Sequence, residues 1–164
     1  MPFAFIGVGS NIDPEKNIIK AAGMLEMSAD IVAVSGHYRT APLGGREQDD
    51  YINAVWKIYT NLGSADLKKQ LRDIESRLGR SRSGDKYAAR EIDLDILLFD
   101  NNDPDPDIMN RDFLYGPLLE LEPDIVLPGG EKPLKELVAP ASLCLEAALS
   151  DFMKKEYPDG PEKS

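Results

Sequence analysis

The segment IDLDILLFD, residues 92–100, places two aspartates in an otherwise apolar run. A short apolar run predicts a core strand, and a carboxylate buried in a core strand costs several kcal/mol unless it is paired. Side chains alternate along a strand, so Asp93 and Asp95 share one face with Glu91 and Leu97. The opposite, apolar face consists of Ile92, Leu94, Ile96 and Leu98. The chain must therefore form a sheet that buries this apolar face under helices and leaves the face with both aspartates free for a site.

The segments around this strand predict the rest of the sheet. A helix is expected from Asp13, acting as an N-cap acceptor, to about Met27, and a second helix from a Ser64 cap to Leu78. Further strands are expected at residues 3–9, 31–38 and 51–60, a loop at 39–50, and helices starting at Pro117 and covering about 142–154. The order β-α-β-β-α-β predicts an α+β, ferredoxin-like sandwich, an antiparallel sheet with helices on one face, plus a C-terminal helical extension.

Charge and composition limit the partners. The chain has 164 residues, enough for one domain with a real core, and its net charge of −10 disfavours nucleic acid and anionic lipid surfaces. The N-terminal stretch has no basic leader and only a short apolar run, so we expect neither a signal peptide nor a membrane span. The single cysteine, Cys144, fits a reducing cytoplasm. We expect a cytoplasmic monomer with one domain at residues 1–156 and a flexible tail at 157–164.

The paired aspartates and the basic segment before them indicate a polyphosphate site. Two carboxylates this close repel each other unless a cation lies beside them, and oxygen-only ligands suit Mg²⁺. The segment GRSRSGDKYAAR, residues 79–90, carries Arg80, Arg82, Lys86 and Arg90, and guanidinium groups bind phosphate in bidentate fashion. Carboxylates on one side and arginines on the other suit a metal-bound polyphosphate. The alternative is a solvated sheet face beside a solvated basic loop.

A third group of candidates involves aromatic and amide side chains. Tyr51 and Asn53 share one face of their predicted strand. An aromatic ring offers a stacking surface, and an amide can both donate to and accept from a flat heterocycle. The alternative for this pair is ordinary surface packing, and Phe113 is by its residue type a core candidate. The residues alone leave both interpretations open.

Several segments share, in order, the pattern of one known family. They are IGVGSNI at the N-terminus, YRTAPLG (38–44), YINAV (51–55), IESRLGR (74–80), REIDLDILLFD (90–100) and NRDFLYGPLLELEPD (110–124). The most specific is REIDLDILLFD, which fits the pattern R-x-[IL]-D-[IL]-D-[IL]. With these segments the chain resembles the 6-hydroxymethyl-7,8-dihydropterin pyrophosphokinases of folate synthesis, from residue 4 to about 128.

The resemblance implies a reaction and a set of site residues. The reaction is transfer of the β,γ-pyrophosphoryl unit of ATP to the hydroxymethyl oxygen of the dihydropterin, with release of AMP. The resemblance implies that Asp93 and Asp95 hold two Mg²⁺ ions and that, with Arg82 and Arg90, they are catalytic. The implied nucleotide-binding residues are Glu75, Arg80, Arg82, Tyr87, Arg90 and Ile96. The implied pterin-binding residues are Thr40, Pro42, Leu43, Tyr51, Asn53 and Phe113.

Two departures from the family pattern affect the ATP side. The family usually has Pro-His-Pro before the R-x-F motif, whereas this chain has Pro104-Asp105-Pro106. Only residues 100–103 separate Phe99 from Pro104, where relatives carry a longer hairpin. We therefore expect weaker and more salt-sensitive ATP binding. The alternative function is a catalytically weakened pterin- or nucleotide-binding protein of the same fold, although a mere binder would not need paired metal ligands.

Overall fold

The computed structural model describes residues 2–45, 47–79, 89–100 and 102–160. Its strands are β1 (Phe3–Ser10), β2 (Asp30–Val34), β3 (Tyr38–Thr40), β4 (Tyr51–Tyr59), β5 (Asp93–Phe99) and β6 (Cys144–Leu145). Its helices are α1 (Pro14–Leu25), α2 (Ser64–Arg77), α3 (Asp112–Leu121) and α4 (Ala147–Glu156), with short 3-10 turns at Leu43–Gly45 and Leu134–Glu136. None of the helices in these ranges is long and apolar enough to cross a membrane.

The strands form one antiparallel sheet around β1 and β4. Its order is β5-β1-β4-β3-β6, and β2 pairs with the other half of β4. Strands β2 and β3 together occupy the place of the single strand predicted at 31–38. The sequence β-α-β-β-α-β and the central position of β1 and β4 confirm the α+β, ferredoxin-like fold.

Two hydrophobic clusters cover the two faces of the sheet. The larger cluster packs α1, α2 and α4 against one face through residues such as Ile18, Leu71 and Met153. The smaller cluster packs α3 and the following segment against the other face, around Val55 and Leu118. The expectation that the second face would be free was therefore wrong in part. α3 covers one half of this face, and the site occupies the other half.

In β5 the side chains as far as Leu97 lie on the faces that the alternation predicted. Ile92, Leu94 and Ile96 pack into the larger cluster, and Leu97 faces the smaller one. A β-bulge lies opposite Phe5 and Ile6 of β1, where the partner residues step from Leu98 to Ile96. The extra residue reverses the alternation. As a result Leu98 joins the smaller cluster and Phe99 the larger one, contrary to the prediction for Leu98.

Several predicted boundaries differ from the structure. Asp13 occupies the N-cap position of α1, but it has a left-handed φ of 40° and no side-chain capping bond. Gly63 rather than Ser64 is the N-cap of α2. α3 begins at Asp112 and contains Pro117 in its interior, because the burial of Tyr115 and Leu118 favours the helix despite the proline. The helix predicted at 142–154 starts later, since residues 144–145 pair with β3 instead.

Candidate active site

The site lies on the half of the sheet that α3 leaves uncovered, where side chains from three strands stand side by side. In the antiparallel register, Gly9 of β1 pairs with Asn53 of β4 and with Asp93 of β5. Cross-strand partners point to the same face of a sheet. The amide of Asn53 and the carboxylate of Asp93 therefore flank a glycine. Two residues earlier, Gly7 pairs with Asp95 in the same way.

The two glycines of β1 form the floor of a groove. A Cβ atom at Gly9 would lie 2.8 Å from Asn53 Oδ1, closer than such contacts occur, so any larger residue here would have to displace the Asn53 amide. A Cβ atom at Gly7 would lie 3.2 Å from Leu97 Cδ2, a tight contact. Neither glycine was predicted as a site residue. The available signal was a pair of glycines two residues apart in an apolar strand.

The groove opens into a cavity of about 380 Å³, a volume typical of small-molecule pockets. Predicted pterin-binding residues that line it are Thr40, Leu43, Tyr51, Asn53 and Phe113. Pro42 adjoins them in the chain but is not part of the wall. Asn53 Nδ2 donates a hydrogen bond to Thr40 Oγ1 at 2.5 Å. This bond orients the amide so that Oδ1 lies over the glycine floor.

Acidic and basic side chains line the same cavity. Arg90 and Arg111, the N-cap residue of α3, line the cavity together with Asp93 and Asp95. Across the ranges that the structure describes, no three or more His, Cys, Asp or Glu side chains group to hold a metal ion. An ion at the two aspartates would thus complete its shell with water and phosphate oxygens. Such a donor set fits Mg²⁺.

A second cavity, of about 440 Å³, adjoins the first one. Asp95, Leu97 and Asp105 line both cavities. The wall of the second cavity includes two predicted nucleotide-binding residues, Glu75 and Ile96. Two cations of α2, Lys68 and Arg72, also line it and were not predicted. The sequence pattern of α2 indicates a core helix, and nothing in the spacing of these two cations indicates that they line a cavity.

The outer edge of β5 faces the second cavity. Glu75 is only 3% exposed, and its Oε2 accepts a hydrogen bond from the Leu94 amide at 3.0 Å. Because amide directions alternate along an antiparallel strand, the Ile96 amide points to the same edge. Further along, the Asp105 amide donates to the Leu97 carbonyl at 2.9 Å. Glu75 therefore contacts the protein main chain within the cavity where the sequence predicted a nucleotide contact.

Asp105, which replaces the family histidine, lies at the junction of the two cavities. Its Oδ1 accepts a hydrogen bond from the Asp107 amide at 2.8 Å. The loop thus holds this carboxylate in place beside the cavity that Asp95 also lines.

The start of β5 is tied to the end of β1 around Arg90. The Arg90 amide donates to Asn11 Oδ1 at 2.8 Å, and the Asn11 amide donates to the Arg90 carbonyl at 3.1 Å. These bonds fix the main chain from which the Arg90 side chain extends into the first cavity. Three other predicted residues, Arg80, Arg82 and Tyr87, lie outside the described residues.

This geometry defines a class of protein, a ferredoxin-like α+β domain in which two small-molecule cavities meet at one of a pair of aspartates, Asp95. Residues 5–123 match the model of the 7,8-dihydro-6-hydroxymethylpterin-pyrophosphokinase (HPPK) family. The match covers well over half of the chain. The chain belongs to this family, as its sequence motifs predicted.

Individual relatives agree with the family match. The chain is 38% identical over 140 residues to the 2-amino-4-hydroxy-6-hydroxymethyldihydropteridine pyrophosphokinase of Haemophilus influenzae, covering 78% of this chain and 86% of the relative. It is 35% identical over 145 residues to the enzyme of the same name from Aquifex aeolicus, covering 83% and 90%. A crystal structure of HPPK-DHPS in complex with substrates aligns with 98% of this chain and 41% of that chain, at 12% identity and a TM-score of 0.48. The family assignment rests on the sequence matches.

Proposed function

We propose that this protein transfers the pyrophosphoryl group of ATP to the hydroxymethyl group of 6-hydroxymethyl-7,8-dihydropterin and releases AMP, a step of folate synthesis. The family match and the names of its relatives support this activity. The observation that carries the proposal for this chain is the meeting of two cavities at Asp95. A transfer between two small molecules needs both of them bound with their reacting groups adjacent, and the junction provides that place.

The first cavity is the proposed pterin site. Tyr51 and Phe113 supply aromatic surfaces for a flat heterocycle. Asn53 Oδ1 is an acceptor over the glycine floor, suited to the amino and ring N–H groups of a pterin. Thr40 and Leu43 complete the slot, and Pro42 supports the segment that carries them. A buried acceptor of this kind discriminates against analogues that lack the matching donors.

The junction and the second cavity are the proposed nucleotide site. Asp93 and Asp95 would hold two Mg²⁺ ions, which supply charge neutralisation for the phosphates. Arg90 contributes positive charge in the described part of the chain, and Arg80, Arg82 and Tyr87 are proposed to act from the segment outside it. The Ile96 main chain offers a donor to the base at the β5 edge, and Glu75 orders that edge through Leu94. Catalysis then consists of positioning and charge neutralisation.

The remaining predictions from the sequence stay part of this proposal. Residues 1–156 form one pyrophosphokinase domain, residues 157–164 form a tail, and the protein acts as a cytoplasmic monomer on two small-molecule substrates. The second candidate function is a pterin- or nucleotide-binding protein with weakened catalysis. One observation favours it: the Asp105 carboxylate lies at the junction, where it repels a triphosphate.

The decisive experiment follows nucleotide products with Mg²⁺, ATP and 6-hydroxymethyl-7,8-dihydropterin. We expect AMP in the wild type and at least a hundredfold slower turnover in Asp95→Asn. A bound metal ion stabilises the charge of the transition state by several kcal/mol, and each loss of about 1.4 kcal/mol slows the reaction tenfold. Asp151→Asn, an exposed site on α4, is the matched control and should turn over normally.

Each outcome separates the candidates. Binding of a pterin analogue should be unchanged in Asp95→Asn, since the lost carboxylate serves the triphosphate. Release of ADP rather than AMP would exclude pyrophosphoryl transfer. Pterin binding without AMP formation by the wild type would favour the binding protein, and near-normal turnover of Asp95→Asn would refute the metal assignment.

A further inference from the structure

Glu120 connects α3 to the strands that carry the first cavity. It belongs to the segment NRDFLYGPLLELEPD, which also contributes Arg111 and Phe113 to the wall of the first cavity. Its Oε1 accepts a hydrogen bond from the Tyr38 hydroxyl, and its Oε2 accepts one from the Gly36 amide at 2.6 Å. Lys154 of α4 approaches the same oxygen at 3.4 Å. One carboxylate thereby contacts the β2–β3 connection, β3 and α4.

The conformation of the β2–β3 connection directs Tyr38 toward Glu120. A Cβ atom at Gly36 would lie 2.6 Å from the Tyr38 hydroxyl oxygen, so only glycine lets the ring fold back over this position. Burial and the hydrogen bond with Glu120 raise the pKa of Tyr38, so the hydroxyl remains a donor. The bond is therefore retained throughout the neutral range.

Both elements that Glu120 links, β3 and α3, carry residues of the proposed pterin slot or their neighbours. Tyr38 pairs with Asn53 in the β3–β4 register, so their side chains are neighbours on the same face. Thr40, two residues further along β3, accepts the hydrogen bond that orients Asn53. On α3, Phe113 precedes Glu120 by about two helical turns and hence lies on the same side of the helix. Glu120 thus joins the element that presents Phe113 to the strands that present Asn53.

We propose that Glu120 is a positioning residue that sets the spacing between α3 and β3, and with it the width of the slot for the flat pterin ring. This inference rests on the proposed function and deepens it. Glu120 touches neither cavity wall and acts through Tyr38, Gly36 and α3. Loss of the carboxylate lets α3 and β3 separate, which loosens contacts to the pterin while the nucleotide contacts at β5 remain.

The test compares Glu120→Ala with a rescue variant and a matched control. Glu120→Ala should raise the KM for the pterin about tenfold, the effect of a small misplacement of binding groups, and should change the KM for Mg-ATP less than about twofold. Glu120→Gln should restore most of the pterin KM, because its amide can accept from Gly36 and contact the Tyr38 oxygen. Glu122→Ala is the control, since Glu122 pairs with Lys57 of β4 at 2.8 Å and also ties the end of α3 to the sheet.

The control distinguishes positioning from stability. Urea unfolding should show both alanine variants to be destabilised, whereas only Glu120→Ala should lose pterin affinity. Equal pterin KM values in the two would overturn the inference. If Glu120→Ala does not fold, Tyr38→Phe removes one donor and should raise the pterin KM about threefold, in line with one lost hydrogen bond.

Hydrogen exchange keeps the inference separate from the proposed function. Should the wild type form no AMP, the proposed function fails, and amide exchange at Gly36 and Thr40 still decides the role of Glu120. Exchange there should be faster in Glu120→Ala than in Glu122→Ala. Equal rates would overturn the inference whatever the activity of the wild type.

Discussion

Acidification should destabilise this protein through one buried imidazole. His37, between β2 and β3, is the single histidine of the chain and has no exposed surface. Trp56 Nε1 donates a hydrogen bond to His37 Nε2 at 3.3 Å, which requires the neutral ring as acceptor. Burial lowers the pKa of His37 from its ordinary value of 6.5 to about 4. The folded protein therefore resists the protonation that the unfolded chain accepts.

The sign and size of the effect follow from proton linkage. Between the unfolded pKa of 6.5 and the folded pKa of about 4, the unfolded chain binds the proton and the folded protein does not. The free energy of unfolding therefore falls as the pH falls through this window. At about 1.4 kcal/mol per pH unit, the full window corresponds to roughly 3 kcal/mol. Above pH 6.5 the contribution of His37 is constant.

Urea unfolding at pH 7 and pH 4.5 tests this prediction when wild type and His37→Gln are compared. The many carboxylates contribute equally to both proteins, so the difference between them isolates His37. The wild type should lose about 2–3 kcal/mol more than the variant between the two pH values. Because the chain has one histidine, its imidazole resonances give the folded pKa directly. A folded pKa near 6.5, or equal losses in both proteins, would refute the reasoning.

Further predictions concern the two cavities and one helix. Phe113→Ala should weaken a pterin analogue in calorimetry by roughly 0.5–1.5 kcal/mol beyond the lost contact area; unchanged affinity would make Phe113 a core residue only. Gly9→Ala should displace Asn53 and weaken the same analogue by at least about tenfold. Asp105→His should tighten Mg-ATP about fivefold at low salt, by removing a repulsion of roughly 1 kcal/mol, and less at moderate salt; equal affinities at both salt concentrations would make Asp105 a bystander. Gly23→Ala should raise the unfolding free energy by about 1 kcal/mol in urea, since its Cβ would meet no atom within 4 Å and α1 gains helix propensity.

Local patterning predicted most of the fold because the period of two in a strand depends on sequence alone. In β4 Trp56 and Ile58 lie in the larger cluster and Val55 in the smaller one, on opposite faces, as a period of two predicts. The alternation failed at Leu98, because the bulge in β5 depends on how β1 pairs with it. The alternation also did not predict the break after β2. There the Ser35 hydroxyl accepts a hydrogen bond from the Val55 amide at 2.9 Å, in place of a main-chain bond between the strands.

The site could be predicted in its parts but not in its arrangement. The spacing of Asp93 and Asp95 implied a shared face, and both line one cavity. Thr40 and Leu43 came only from the resemblance, because both fall in the predicted loop at 39–50, which carries no periodic signal, although Thr40 ends β3 in the structure. The joining of two cavities at Asp95 depends on where residues 102–107 cross the edge of β5, which no local pattern specifies.

The outer edge of β5 also has a consequence for solubility. A strand at the end of a sheet is a template on which another chain can add a strand and start aggregation. In β5 the Leu94 amide already donates to Glu75, and the Leu97 carbonyl already accepts from the Asp105 amide. The bulge also twists the strand. An incoming strand could pair only with a short stretch around Ile96. The proposed contact with a flat nucleobase requires only the main chain of this one residue. The contacts that leave room for the proposed nucleotide therefore also keep a second polypeptide from pairing with this edge.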